Sequence, residues 1–310
     1  MEIKTTRRKR IHLRRFLPLY LMMIPGLLYL LINNYLPMFG LSIAFKNVNY
    51  AQGIWGSDWV GISNFEYLFR TTDAYIITRN TLLYNAVFIV LGLTIAIAIA
   101  ILLNEIRSKM ARGFYQSVIL LPYLISMILV SYLVYALLSP QSGFMNKTIL
   151  PMFGLDPISW YLESKYWPYI LTIVHIWKGA GYSCIVFLAA IIGIDREYYE
   201  AAELDGATKW MQIRKITLPM ITPIITMLAL LGIGRIFYSD FGLFYQVPMN
   251  SGALYETTNV IDTYVFRGLL QIGDIGMSAA AGFYQSLVGF VLVLVSNYIV
   301  RRFDKDNALF

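Results

Sequence analysis

Side chains able to do chemistry are scarce in this 310-residue chain. It carries one cysteine, Cys184, inside an apolar run, so it can form no intrachain disulfide and has no thiol pair for redox work. Its two histidines, His12 and His175, stand far from each other and from any carboxylate in sequence, which argues against a metal cluster. No GxxxxGK[ST] stretch occurs, so the chain is not its own P-loop ATPase. Charge is also thin: 14% of residues are Asp, Glu, Lys or Arg, against roughly a quarter in a soluble protein.

What fills the space is apolar. Hydrophobic residues make up 58% of the chain and mean hydropathy is +0.60, which is the composition of an integral membrane protein. Crossing about 30 Å of hydrocarbon takes about 20 helical residues. Six runs satisfy that, near 17–38, 82–104, 114–138, 168–192, 219–239 and 282–300. The expected fold class is therefore an all-α polytopic membrane protein with six transmembrane helices. Pro25 and Pro122 are expected to kink the first and third of them. The organisation is read as a basic N-terminus at 1–16, a transmembrane domain at 17–300 and a tail at 301–310. The first apolar run is too long, and lacks the small-residue site, for a cleaved signal peptide. No internal repeat of useful length is visible.

The net charge of +7 is unevenly placed, which argues against nucleic acid as its partner. Lys4, Arg7, Arg8, Lys9, Arg10, Arg14 and Arg15 crowd the N-terminus. Arg107, Lys109 and Arg112, then Arg196, Lys209, Arg214 and Lys215, then Arg301, Arg302 and Lys305 fall on the same side of the expected topology. The opposite loops hold only Lys46, Arg70, Arg79, Lys147, Lys165 and Arg267. By the positive-inside rule both termini and the loop at 195–219 are cytoplasmic, and the chain sits in the cell membrane. Aromatics mark the other side: Trp55, Trp59, Phe65, Tyr67 and Phe69, then Trp160, Tyr161, Tyr166 and Trp167. An interfacial belt explains them, with partner docking or stacking on sugar rings as alternatives. At 240–281, turn signals flank an apolar patch from 260 to 270, which predicts a short helix lying on the membrane surface.

The loop at 195–219 is the one long polar block between apolar runs. Asp195 is placed to cap a helix whose first turn carries Glu197, and good helix formers follow. Gly206 is placed to end it, Thr208 to cap a second short helix, and Pro219 to open the next apolar one. The expected shape is helix, glycine turn, helix: a rigid knob on the membrane surface, against the plainer reading of an ordinary interhelical loop.

Glu200-Ala201-Ala202, three residues, Gly206, nine residues, then Ile216-Thr217-Leu218-Pro219 resembles the EAA loop of ABC importer permeases. Small alanines permit close approach and Glu200 can meet a basic residue. The resemblance extends over nearly the whole chain. Asn34-Tyr35-Leu36-Pro37, Trp59-Val60-Gly61, Ile176-Trp177-Lys178-Gly179 and Asp240-Phe241-Gly242 are similar to the oligosaccharide permeases of the maltose-transporter superfamily, on the LplB-like polysaccharide branch. This implies a type I ABC importer permease fold, and for Glu200, Ala201, Ala202, Asp205, Gly206, Leu218 and Pro219 a role in coupling to an ATPase. It implies a heterodimer with a second permease, two cytoplasmic ATPase subunits that hold the ATP and Mg, and an extracytoplasmic solute-binding protein that delivers an oligosaccharide. This chain would be non-catalytic, with no cofactor of its own.

Two basic residues, Lys178 and Arg235, fall within expected spans. A central charge costs roughly 2.5–3.5 kcal/mol on insertion scales, so each should face protein or water. Lys178 lies about 16 Å from Trp167, and Arg235 about 24 Å from Pro219, at 1.5 Å per helical residue. One reading pairs them with carbonyls or carboxylates to hold helices together. The other sets Lys178, Arg235, Tyr238, Asp240, Phe244 and Tyr245 beside a translocation cavity, where aromatic faces and hydrogen-bonding groups suit a sugar. An ion-coupled transporter would need mid-span carboxylates, and the spans hold none. A membrane enzyme using Asp58, Asp73, Asp262 or Asp274 lacks a His, Cys or paired carboxylate to work with.

Overall fold

The computed structural model describes residues 13–303. The basic residues Lys4 to Arg10, the tail residue Lys305 and most of the expected terminal segments 1–16 and 301–310 lie outside the described residues. The labelled elements are α1 (Leu13–Leu30), β1 (Lys46–Asn47), β2 (Asp58–Trp59), α2 (Ser63–Arg70), α3 (Thr72–Glu105), α4 (Lys109–Leu124) and α5 (Met127–Leu138). They continue with α6 (Trp167–Ile192), α7 (Arg196–Leu204), α8 (Lys209–Gly234), α9 (Phe241–Gln246), α10 (Ile261–Arg267) and α11 (Ile275–Phe303). Five helices are long and apolar enough to cross a membrane, or six if the bent pair α4–α5 is one span. Of the six expected spans, four are longer than hydropathy alone marked: the first continues from α1 through a π turn and a 3-10 segment to Phe45, and α3, α8 and α11 begin ahead of 82, 219 and 282.

Two spans depart from expectation in kind. The third is no single kinked helix over 114–138: α4 and α5 meet at 95° across Ile125 and Ser126. Pro122 lies inside α4, before the break. The new helix starts because the Ser126 hydroxyl accepts the Leu129 amide, a standard N-cap. The fifth span stops at Gly234 instead of 239, with Arg235 as its C-cap. Gly232 and Gly234 weaken the helix there, and the Arg235 amide closes a tight turn on the Gly232 carbonyl. At its other end the same span begins ten residues before Pro219. The short second helix of the knob and the apolar helix are one continuous rod, joined by a π turn at Ile213–Thr217. Pro219 cannot donate to the turn before it, and the wider π turn precedes it.

Within the bilayer, lipid is as apolar as any side chain, so close packing between helices holds the bundle together. Buried Ala96 and Ala100 on α3 and Ala180, Gly181 and Cys184 on α6 let the backbones approach. At the end of the bundle away from the knob, water is near and aromatic burial counts. Trp167 and Phe244 are fully buried there with Tyr84, Phe88 and Tyr161. Each such side chain contributes roughly 1.5–3 kcal/mol relative to exposure. The expected aromatic belt therefore splits: Trp160 packs against that core and Trp167 is inside it, while Trp55 and Trp59 remain exposed.

The segment 240–281 is not a helix resting on a surface. Ile261 and Thr263 of α10 are fully buried. Polar side chains of α3 hold it in place: Asn80 donates to the Glu256 and Asn259 carbonyls, Tyr84 to the Thr257 carbonyl, and Thr81 accepts the Ile261 amide. From the other flank Gln285 of α11 donates to the Phe237 carbonyl and the Asp262 carboxylate. The alternation of turn residues and apolar residues marked a helix, but the partners that bury it lie about 180 residues earlier.

Candidate coupling and translocation sites

The knob is built as its residues dictate. The Asp195 carboxylate accepts the Glu197 amide and caps α7, and the Thr208 hydroxyl accepts the Met211 amide and caps α8. Between them Gly206 takes the left-handed conformation, φ +78°. The Ala207 amide reaches the Ala202 carbonyl at 2.8 Å and the Gly206 amide the Glu203 carbonyl at 3.1 Å. That is a Schellman ending, and it requires a positive φ at the glycine position. Nothing lies within 4 Å of a Cβ built on Gly206. A substitution there is resisted by backbone strain of about 1–2 kcal/mol, not by crowding.

A salt bridge closes the turn. Lys209 donates to Glu203 at 3.0 Å, and Gln212 donates to the same carboxylate oxygen at 3.3 Å. These hydrogen bonds, Lys209 first, hold the Glu203 carboxyl below its ordinary range. Tyr199 ties α7 to the π turn through Thr217, 2.9 Å away. Glu200 has no hydrogen-bond or ion-pair partner among the described residues. It borders a polar cavity of about 520 Å³ whose lining also includes Glu105, Arg107, Arg112, Arg196 and Lys209. Around the knob Leu204 is 90% exposed and Trp210 69%, so large apolar side chains here face outward. Ala201 and Asp205 are exposed, Ala202 is half-buried, and Leu218 and Pro219 belong to the rod that leads into the bundle.

One contributor escaped sequence reading. Arg112 donates to the Asn104 and Ile106 carbonyls at 3.1 and 2.9 Å, closing the end of α3 beside the cavity. In sequence it was one more positive charge between two spans. Its only signal was its place just after a helix end.

The six candidate pathway residues do not form one cluster. Lys178 on α6 donates to the carbonyls of Pro122, Tyr123 and Ile125 at the break in the third span. This is the carbonyl-pairing alternative. Arg235 lies outside the helix expected to contain it, exposed, and its guanidinium has no hydrogen-bond or ion-pair partner among the described residues. Tyr238 is also beyond that helix and 45% exposed. The Asp240 carboxylate caps α9 by accepting the Leu243 amide. Phe244 is buried in the core. Tyr245 stacks on Phe241 and meets Phe266 edge-on. Arg235, Tyr238 and Asp240 thus share one short non-helical stretch, while Phe244 and Tyr245 support it from α9. Among the described residues no group of three His, Cys, Asp or Glu could hold a metal ion.

Residues 89–305 match the family model described as binding-protein-dependent transport system inner membrane component. The polygalacturonan/rhamnogalacturonan transport system permease protein YteP of Bacillus subtilis (strain 168) is 34% identical, across 93% of this chain and 89% of its own length. Protein LplB of the same organism is 35% identical, across 93% and 90%. A chain of a bacterial ABC transporter that imports the acidic polysaccharide alginate superposes with a TM-score of 0.86 at 35% identity, across 94% of this chain and 97% of that one. A second crystal structure of the alginate transporter, in complex with a periplasmic protein bound to an alginate pentasaccharide, gives 0.85 at 34% identity, across 94% and 96%.

Proposed function

Since the chain belongs to the binding-protein-dependent transport system inner membrane component family, and is a permease subunit of an importer, we propose that it forms half of an oligosaccharide pathway driven through its 195–219 knob. A second permease supplies the other half. Two ATPase subunits hold ATP and Mg, and an extracytoplasmic solute-binding protein delivers the sugar. Both termini and the knob face the cytoplasm, where the ATPase can reach them. The chain itself carries out no catalysis and holds no cofactor.

The observation that carries this reading is the knob's unused chemistry. Leu204 and Trp210 are exposed on a turn stiffened by two caps, a Schellman ending and a salt bridge, with Glu200 unpaired beside them. Rigid apolar side chains with a free carboxylate suit docking against a basic groove. The test is co-purification of the tagged chain in mild detergent from cells that make its partners. An ATPase should elute with the wild type and with Gly206→Asn, whose side chain tolerates a left-handed backbone. Gly206→Trp should insert in the membrane but lose the ATPase and transport. Retention of both by Gly206→Trp would remove the knob from the mechanism, as would labelling of Leu204→Cys by an impermeant reagent from outside the cell.

A carboxylate-bearing sugar is the favoured class. Two of the similar proteins have names that refer to acidic polysaccharides, and Arg235 is an exposed, unpaired cation beside the break after α8. Arg235→Gln should slow uptake of oligogalacturonides by the reconstituted importer while leaving expression unchanged. Unchanged uptake would take Arg235 out of the pathway.

A further inference from the structure

Lys178 raises a question that its place in a transporter does not answer. It stands near the middle of α6, a helix long and apolar enough to cross a membrane, yet no carboxylate meets its ammonium among the described residues. An ammonium has three protons and no lone pair. Here the three are matched by three backbone carbonyls, at 3.3 Å from Pro122, 3.1 Å from Tyr123 and 2.5 Å from Ile125. No proton is left for a passing solute.

Those carbonyls belong to the end of α4. The last turn of any helix leaves carbonyls without amide partners, and inside lipid no water replaces them. The chain turns 95° here, so α5 supplies no amide to them; the Pro122 carbonyl also accepts the Ile125 amide at 3.3 Å, and the Tyr123 and Ile125 carbonyls depend on Lys178. Its own first turn is capped by Ser126. A cation also suits the negative end of the α4 dipole. The ring of Tyr123 lies 5.9 Å from the ammonium and stacks on Tyr182, covering one side of it.

The elbow bears on the rest of the site. Directly after it, Met127 packs so closely on α9 that a Cβ on Gly242 would sit 2.9 Å from its Cγ. Ile125 and Met127 pack against the buried cluster that holds Leu243 and Phe244. The start of α5 therefore meets α9, the helix that follows the break after α8, and Lys178 reaches the elbow from a third helix.

We infer that Lys178 is a positioning residue: its charge holds the elbow of the third span and seats α5 against α9, and it makes no contact with the transported solute. The elbow itself needs no assumption about transport. Its effect on ATP turnover rests on the permease reading above.

Pulsed electron–electron resonance on the whole importer in nanodiscs tests this, with spin labels at Val118 on α4 and Leu133 on α5. Both positions are exposed, and Cys184 is buried and takes no label. Lys178→Met keeps the length and removes charge and donors, whereas Lys178→Arg keeps both. Wild type and the Arg variant should give the same narrow distance distribution, and the Met variant a broadened one. MgATP hydrolysis without any sugar should rise at least threefold in the Met variant and return to the wild-type rate in the Arg variant, because an unlatched elbow no longer holds the resting arrangement. A solute-contacting lysine would leave both readouts unchanged. If the Met variant fails to assemble, Lys178→Gln replaces it with the same expectation. An unchanged distribution in the uncharged variant, or an equally broad one in the Arg variant, overturns the proposal. Absence of ATP hydrolysis in the wild-type complex would instead count against the permease reading and leave the distances to decide Lys178.

Discussion

Two glycines two residues apart on α6 should respond in opposite ways to the same methyl group. A Cβ on Gly181 would sit 2.1 Å from the Ile119 carbonyl oxygen of α4 and 2.7 Å from its carbon. Carbon ordinarily comes no nearer than about 3.4 Å, so α4 and α6 must part by more than 1 Å. At Gly179 nothing lies within 4 Å. Replacing glycine by alanine inside a helix stabilises by about 0.5–1 kcal/mol, and both variants share that gain. Overpacking costs about 1–3 kcal/mol, with Gly181→Ala at the upper end because the obstacle is backbone. The two variants should differ by about 3 kcal/mol, or about 5 °C in melting temperature for a chain of this length. Detergent-solubilised protein heated in steps and run on a fluorescence-detected sizing column measures it. Gly179→Ala should match or exceed the wild type. Gly181→Ala should also draw the elbow carbonyls away from Lys178. Equal melting points would refute the close approach of α4 and α6, and with it the placement of that lysine.

Asn80→Ala leaves the buried Asn259 carbonyl without its 2.9 Å donor, a loss of about 1–3 kcal/mol; faster protease cleavage between 250 and 260 would report it. The Glu203 carboxyl is held below its ordinary range chiefly by Lys209. Its stabilising effect on the glycine turn is thus fully present above the ordinary glutamate value, and is lost as pH falls through the lowered one. The protection factor at Ala207, the exchange rate corrected for its intrinsic pH dependence, should fall across that window in wild type and stay flat in Glu203→Gln; parallel profiles would remove the salt bridge from the turn.

The knob was legible because its determinants are local: Asp195, Gly206 and Thr208 act within a few residues of themselves. The six apolar runs were legible for the same reason. What sequence could not give was set at a distance. Pro122 pointed to a kink, but the break falls after it at Ser126 and is completed by a lysine 53 residues beyond Ile125. Ile236, Phe237 and Tyr238 prolong the apolar run past Gly234, so hydropathy carried the fifth span too far and put Arg235 inside it. The 240–281 segment looked like a surface element because its partners, Asn80, Thr81 and Gln285, read as ordinary polar residues in otherwise apolar helices. Phe244 looked available to a sugar ring and is instead core.

Helix α3 runs 34 residues from Thr72 to Glu105 with no proline and no interruption, or about 51 Å at 1.5 Å per residue. One extremity is gripped by Arg112 next to the knob, and the other carries the side chains that hold residues 256 to 261. A spar without a joint cannot absorb a tilt. Leaning it by about 5° at the knob end would sweep the far tip through about 4 Å, so whatever rocks the knob also drags the opposite end, with no relay of side chains needed in between.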